Sequence, residues 1–186
     1  MTITRMVSSA LMASLIAVVP AVAQEMPQPP KPGPEHEVLK MEAGTWDAVV
    51  EVMPAPGAPP MKSTGVETGV LGCGGLCLAS EFKGEMMPGQ TFEGRGLAAY
   101  DSAKKKYVGS WTDSMSTGLM VTESTYDPAT KKSTGWIEGP DMTGKVSRMK
   151  GVTEFPDPDR RVFTMYATGP DGKEAATMRI TYTRRK

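Results

Sequence analysis

The 186-residue chain reads as an all-β fold, an antiparallel up-and-down β-barrel of about ten strands with a short N-terminal helix. Three observations predict it. Ten β-rich segments follow one another from Thr45 to Thr183, separated by turn signals at meander spacing, and no amphipathic run of about ten or more residues interrupts them. Without helices for crossovers, neighbouring strands must pair antiparallel. Ten twisted strands with one apolar face and nothing to cover it split into a sandwich or curl into a barrel.

The segments are Thr45–Met53, Ser63–Leu71, Leu76–Lys83, Thr91–Tyr100, Tyr107–Thr112, Leu119–Tyr126, Ser133–Glu138, Val146–Glu154, Arg161–Ala167 and Ala175–Thr183. Period-two alternation assigns their faces. Trp46, Ala48, Val50 and Val52 oppose Asp47 and Glu51; Phe92, Gly94, Gly96, Ala98 and Tyr100 oppose Glu93 and Arg95; Leu76, Leu78 and Phe82 oppose Glu81 and Lys83. The inward sets are rich in Gly, Ala, Ser and Thr. Beyond about eight strands side chains alone stop filling a barrel, so an internal cavity is expected.

Pro54-Ala-Pro-Gly57, Asp127-Pro128, Gly139-Pro140-Asp141, Pro156-Asp157-Pro158-Asp159 and Pro170-Asp171-Gly172 carry turn chemistry. Tyr100-Asp101-Ser-Ala-Lys-Lys-Lys106 and Tyr126-Asp127-Pro-Ala-Thr-Lys-Lys132 look like one hairpin solution used twice, with Asp capping the turn.

Upstream, Arg5, the apolar run Val7–Val19 and Ala21-Val22-Ala23 have the form of a secretory signal (1–23) cleaved after Ala23, so a periplasmic or secreted protein is expected. Residues 24–34 hold Pro27, Pro29, Pro30, Pro32 and Pro34 and predict an extended, mobile arm. Glu35–Ala43 has acids early and Val38, Leu39 and Met41 apolar, which predicts a helix of about two turns ended by Gly44 and docked on a single domain spanning 35–186.

Removing the leader's one arginine leaves 20 basic against 21 acidic residues. That balance gives no electrostatic reason for nucleic acid or an anionic membrane as partner. The apolar run with its cleavage pattern falls short of the roughly 18 to 20 residues of a membrane anchor, so no membrane insertion is expected, and oligomeric state is left open. Cys73 and Cys77 are expected to form a disulfide. Fully extended, positions i and i+4 lie roughly 13 Å apart, so the chain must turn between them, and Gly74-Gly75 supplies the φ > 0 conformations.

His36 is the only histidine, and a surface or capping role suits it better than a catalytic triad. One His and an oxidised Cys pair cannot build the usual zinc set, and no metal or other cofactor is indicated. The methionines, Met86-Met87 included, read as core or cavity filler rather than Cu(I) ligands. Trp111, Asp113, Ser114 and Met115 form the densest polar and aromatic cluster, at a strand-to-strand corner. Asp113 and Ser114 there either cap the turn or bind a ligand at a barrel mouth, and Trp136 and Tyr166 are further candidates for lining the lumen.

Gly44-Thr45-Trp46 resembles the first strand of the calycin superfamily, the lipocalins and fatty-acid-binding proteins, in which an Arg of the last strand packs across the Trp. The resemblance implies a structural clasp between Trp46 and Arg184, with Arg179 the weaker candidate. Some related ten-stranded barrels bind haem through a His late in the chain, and none is present there. Pro34-Glu-His-Glu37, Phe92-Glu-Gly94, Trp111-Thr-Asp-Ser-Met115, Met165-Tyr166 and Met178–Lys186 are similar to the "domain of unknown function 1579" family. That resemblance implies a lipocalin-like fold and carries over no catalytic residue. Taken together, the expectation is a non-catalytic barrel that holds a small, largely apolar molecule; an enzyme using the Trp111–Met115 corner and an envelope interaction module are the alternatives.

Overall fold

Strand alternation becomes closure when the last strand pairs with the first, and that happens here. The computed structural model describes residues 28–54, 58–87, 89–140, 144–169 and 171–186. The leader 1–23, residues 24–27 of the arm and parts of the turns at 54–57, 139–141 and 170–172 lie outside that range, as do the side chains of Met86 and Met87. Residues 31–186 form one compact unit.

A 3-10 turn, Pro34–His36, leads into α1 (Glu37–Glu42), followed by β1 (Gly44–Val52), β2 (Met61–Gly72), β3 (Cys77–Met87), β4 (Gln90–Asp101) and β5 (Lys106–Asp113). After these come β6 (Met120–Asp127), β7 (Lys132–Pro140), β8 (Val146–Asp157), β9 (Arg160–Thr168) and β10 (Glu174–Arg184). Each strand pairs antiparallel with its sequence neighbour, and β1 pairs with β10, so the sheet is a closed ten-stranded barrel. Closure removes the unpaired edges that would otherwise template aggregation.

The β1–β10 register places Trp46 opposite Arg184. The Arg184 guanidinium carbon lies 4.0 Å from the centroid of the Trp46 ring, and its nitrogens donate to the carbonyls of Ala43 (2.7 Å), Met41 (2.9 Å) and Pro158 (3.0 Å). Gly44 adopts φ 116°, and a Cβ there would strike Arg184 Nη1. Glycine is therefore required beside the clasp for both conformation and space. Trp46 Nε1–H donates to Glu42 O at 3.0 Å, tying helix to strand.

α1 buries Val38 and Leu39 against one end of the barrel, where Tyr107 Oη–H donates to Glu35 O at 2.6 Å. His36 is not at the surface but 5% exposed; its Nδ1 accepts the Gly33 N–H at 3.0 Å, a buried form of the capping role. The arm ends sooner than its prolines suggest. Pro34 already begins the 3-10 turn, and Pro32 lies against the Gly75 turn.

Cys73 and Cys77 are joined, and the chain turns between them through three positive-φ residues, Cys73 itself (54°), Gly74 (67°) and Gly75 (92°). Leu76 belongs to this turn and not to β3, which starts at Cys77. The two Asp hairpins are one structure used twice. Asp101 Oδ1 accepts the Ala103 and Lys104 N–H groups, Asp127 Oδ1 accepts the Ala129 N–H, and Lys105 and Lys131 occupy the same left-handed position at φ 54° and 53°.

The dense core is Trp46, Ala48, Val50, Phe82, Phe92, Ile180 and Tyr182, on the β1, β10, β3 and β4 side of the interior. Arg184→Lys keeps the charge but loses the planar fork and leaves carbonyls unpaired. It is expected to lower unfolding free energy by about 2–4 kcal/mol in urea melts followed by Trp fluorescence.

Candidate functional site

Small inward residues leave space. Gly96 and Ala98 of β4 and Thr122 of β6 help line a cavity of about 470 Å³ inside the barrel, together with Phe82, Phe92, Trp111, Ile137, Phe163, Met165 and Met178. A second cavity of about 170 Å³, lined by Val38 and Leu39 as well as Ser124 and Ser133, lies beneath the helix. Glu42 at the end of α1 borders both.

The floor of the main lumen is charged. Arg161 of β9 is 4% exposed, and its Nη2 donates to Glu67 Oε1 of β2, while Nη1 lies 3.7 Å from Glu42 Oε2. Its guanidinium carbon sits 4.0 Å from the Tyr182 ring centroid and 4.9 Å from that of Trp46. Burial opposes the Arg161 charge, but Glu67 and Tyr182 outweigh it and hold the guanidinium more firmly protonated than usual. Burial also pushes the Tyr182 hydroxyl well above its ordinary range, reinforced by Glu67. The Glu42 carboxyl is raised above 4.5, chiefly by burial, with Arg161 pulling the other way and Glu67 adding to the rise. Arg161 Nε is the one buried side-chain nitrogen or oxygen without a hydrogen-bond partner among the described residues.

At the far end, the Trp111 ring fills the room left by Gly94 and Gly96, where a Cβ would collide with it. Asp113 fixes the indole: Oδ2 accepts Trp111 Nε1–H at 2.9 Å and Oδ1 accepts the Met115 N–H at 2.9 Å. Trp111, Asp113 and Met115 all border the lumen.

Ser114 does not. It is exposed, and its Oγ accepts the Glu93 N–H at 3.2 Å, tying the corner to β4. The corner therefore does not set Asp113 and Ser114 on one surface; the hydroxyl that borders the lumen beside Asp113 is that of Ser116. Two further candidates, Trp136 and Tyr166, do not border the main lumen, although Trp136 borders the smaller cavity. Trp136 is 43% exposed with the Arg148 guanidinium 4.8 Å from its ring, and Tyr166 pairs across the strands with Lys150, whose Nζ is 5.6 Å from its ring. Parity explains both, since Ile137 and Met165, one position away, face the lumen. Arg179 pairs with Glu51 and is exposed.

Sequence reasoning missed Glu42, Glu67, Arg161 and Tyr182. Their available signal was position: Glu67 and Arg161 share parity with the inward Ser63 and Phe163, Arg161 at the start of β9 and Glu67 in the middle of β2 opposite Trp46. No group of three or more His, Cys, Asp or Glu able to hold a metal ion occurs among the described residues.

Arg161→Met leaves Glu67 buried without its cation and is expected to cost about 3–5 kcal/mol, much of which Arg161→Met with Glu67→Met restores; urea denaturation measures both. The raised Glu42 value means the folded state binds the extra proton. Its contribution is therefore intact below 4.5 and is lost as pH rises toward the folded value. Glu42→Gln should accordingly gain stability relative to the parent protein as pH increases from 4.5, read from parallel melts.

Comparison with solved structures places this barrel among known folds. It is similar to the crystal structure of Rv2717c from M. tuberculosis, with TM-score 0.60 and 10% identity over 83% of this chain and 99% of that one. It is also similar to the S-type phycobiliprotein lyase CPES from Guillardia theta, with TM-score 0.52 and 12% identity over 81% of this chain and 92% of the other. Such identities speak for the fold alone. Among curated proteins none matches in sequence. Residues 31–184 match the model of the family described as protein of unknown function (DUF1579), and the chain belongs to that family.

Proposed function

We propose that this protein is an exported, non-catalytic carrier or receptor that holds a small, largely apolar molecule in its lumen. The observation that carries the reading is the open-mouthed cavity of about 470 Å³ inside the barrel. It lies within the size range of small-molecule sites, and its walls are predominantly aromatic, aliphatic and thioether with a few polar groups at each end. Export rests on the leader-like residues 1–23 and on the oxidised Cys73–Cys77 pair.

A neutral apolar dye such as Nile red is expected to bind with a blue-shifted, enhanced emission and one-to-one stoichiometry. Thr122→Phe, which places a ring in the lumen from β6, should reduce that affinity by about tenfold or more while leaving the circular dichroism spectrum unchanged. Equal binding by a folded Thr122→Phe protein would move the dye, and the proposed site, out of the barrel.

A further inference from the structure

The lumen has a sign. Four carboxyl groups border it, Glu42 and Glu67 at the floor and Glu85 and Asp113 toward the other end, against one base, Arg161. That arginine is already engaged: Glu67 takes its Nη2, and Glu42 stands opposite its Nη1. Its unpaired Nε is sealed from the cavity, so it offers no ready donor to an incoming anion. Two carboxylates around one guanidinium leave the floor with an uncompensated negative charge whenever Glu42 is ionised.

Glu42 is the group with capacity to spare. Asp113 holds a hydrogen bond on each oxygen, whereas the Glu42 carboxylate accepts none among the described contacts and has only the 3.7 Å approach of Arg161. A quarter of its side-chain surface remains accessible beside the lumen. A desolvated carboxylate with unfilled acceptor sites gains most from a donor that brings positive charge with it. The walls above it suit the same ligand, because Phe82, Phe163 and Trp111 present apolar area to a hydrocarbon tail.

Resting on the reading of the lumen as a binding site, we propose that its ligand class is amphiphiles bearing a primary amine or comparable cationic head, seated on Glu42, and that fatty carboxylates are disfavoured. A carboxylate would meet an arginine already neutralised and three further acids along its path. Its burial would lack compensation.

Isothermal titration with decylamine, decanol and decanoate, each below its critical micelle concentration at neutral pH, separates charge from tail. The expected order is decylamine, then decanol, then decanoate, with about a tenfold preference for the amine over the carboxylate. Glu42→Gln should lower decylamine affinity about tenfold and leave decanol within about twofold, and Thr122→Phe should weaken all three. Decanoate binding as tightly as decylamine overturns the charge preference while leaving the lumen reading in place, and the parent protein alone decides that point if Glu42→Gln does not fold. An unchanged preference in folded Glu42→Gln removes Glu42 from the site. Failure of all three ligands and of Nile red defeats the lumen reading itself.

Discussion

Two guanidinium groups meet one indole ring, and the rest of the structure follows from how their charge is settled. Arg184 and Arg161 both approach the ring of Trp46, at 4.0 and 4.9 Å. Arg184 delivers its hydrogen bonds to backbone carbonyls at the helix–strand junction and so fastens the last strand, the first strand and α1 together. Arg161 lies on the inner side of β9, largely desolvated, so its charge calls for a carboxylate partner. Glu67 fills that role from β2. The barrel's closure thus brings a charged floor with it, beneath a predominantly apolar lumen.

The barrel itself was legible because its signals are local and redundant. Strand periodicity, Asp-initiated hairpins and the absence of any crossover helix each point to an antiparallel meander, and Gly44-Thr-Trp46 with Arg184 identifies which ends meet. Trp136 and Tyr166 show where such reasoning fails. Large aromatics usually belong inside, but here the cross-strand neighbours Arg148 and Lys150 cover them from the solvent side, a pairing that depends on register rather than composition.

The floor was hidden for a more specific reason. In β2 the inward set is Ser63, Gly65, Glu67 and Gly69, and the outward set is Thr64, Val66, Thr68 and Val70, with Val70 60% exposed. Hydrophobic alternation read alone would turn this strand over. Its true parity is fixed by partners: Gly65 admits the Phe82 ring, Gly69 admits the backbone at Glu42 and Ala43, and Glu67 meets Arg161 from a strand 94 residues later. Long-range charge pairing and close backbone approach leave no short-range pattern.

A lumen of this size also constrains what fills it. At roughly 24 cal/mol per Å³, a dry void of about 470 Å³ would cost on the order of 10 kcal/mol, comparable to the whole stability of a domain. The fold can therefore persist only if the space is occupied by solvent or by a ligand. Water needs polar partners, and the charged ones stand at the floor and toward the Asp113 end. The middle between them, walled by Phe82, Ile137, Met165 and Met178 and broken only by hydroxyls such as those of Ser80 and Thr122, hydrates less well. An apolar tail displaces the least favourable water in that middle, while a head group at Glu42 replaces water where it was best held. In the proposed complex, affinity would arise from the first exchange and selectivity from the second.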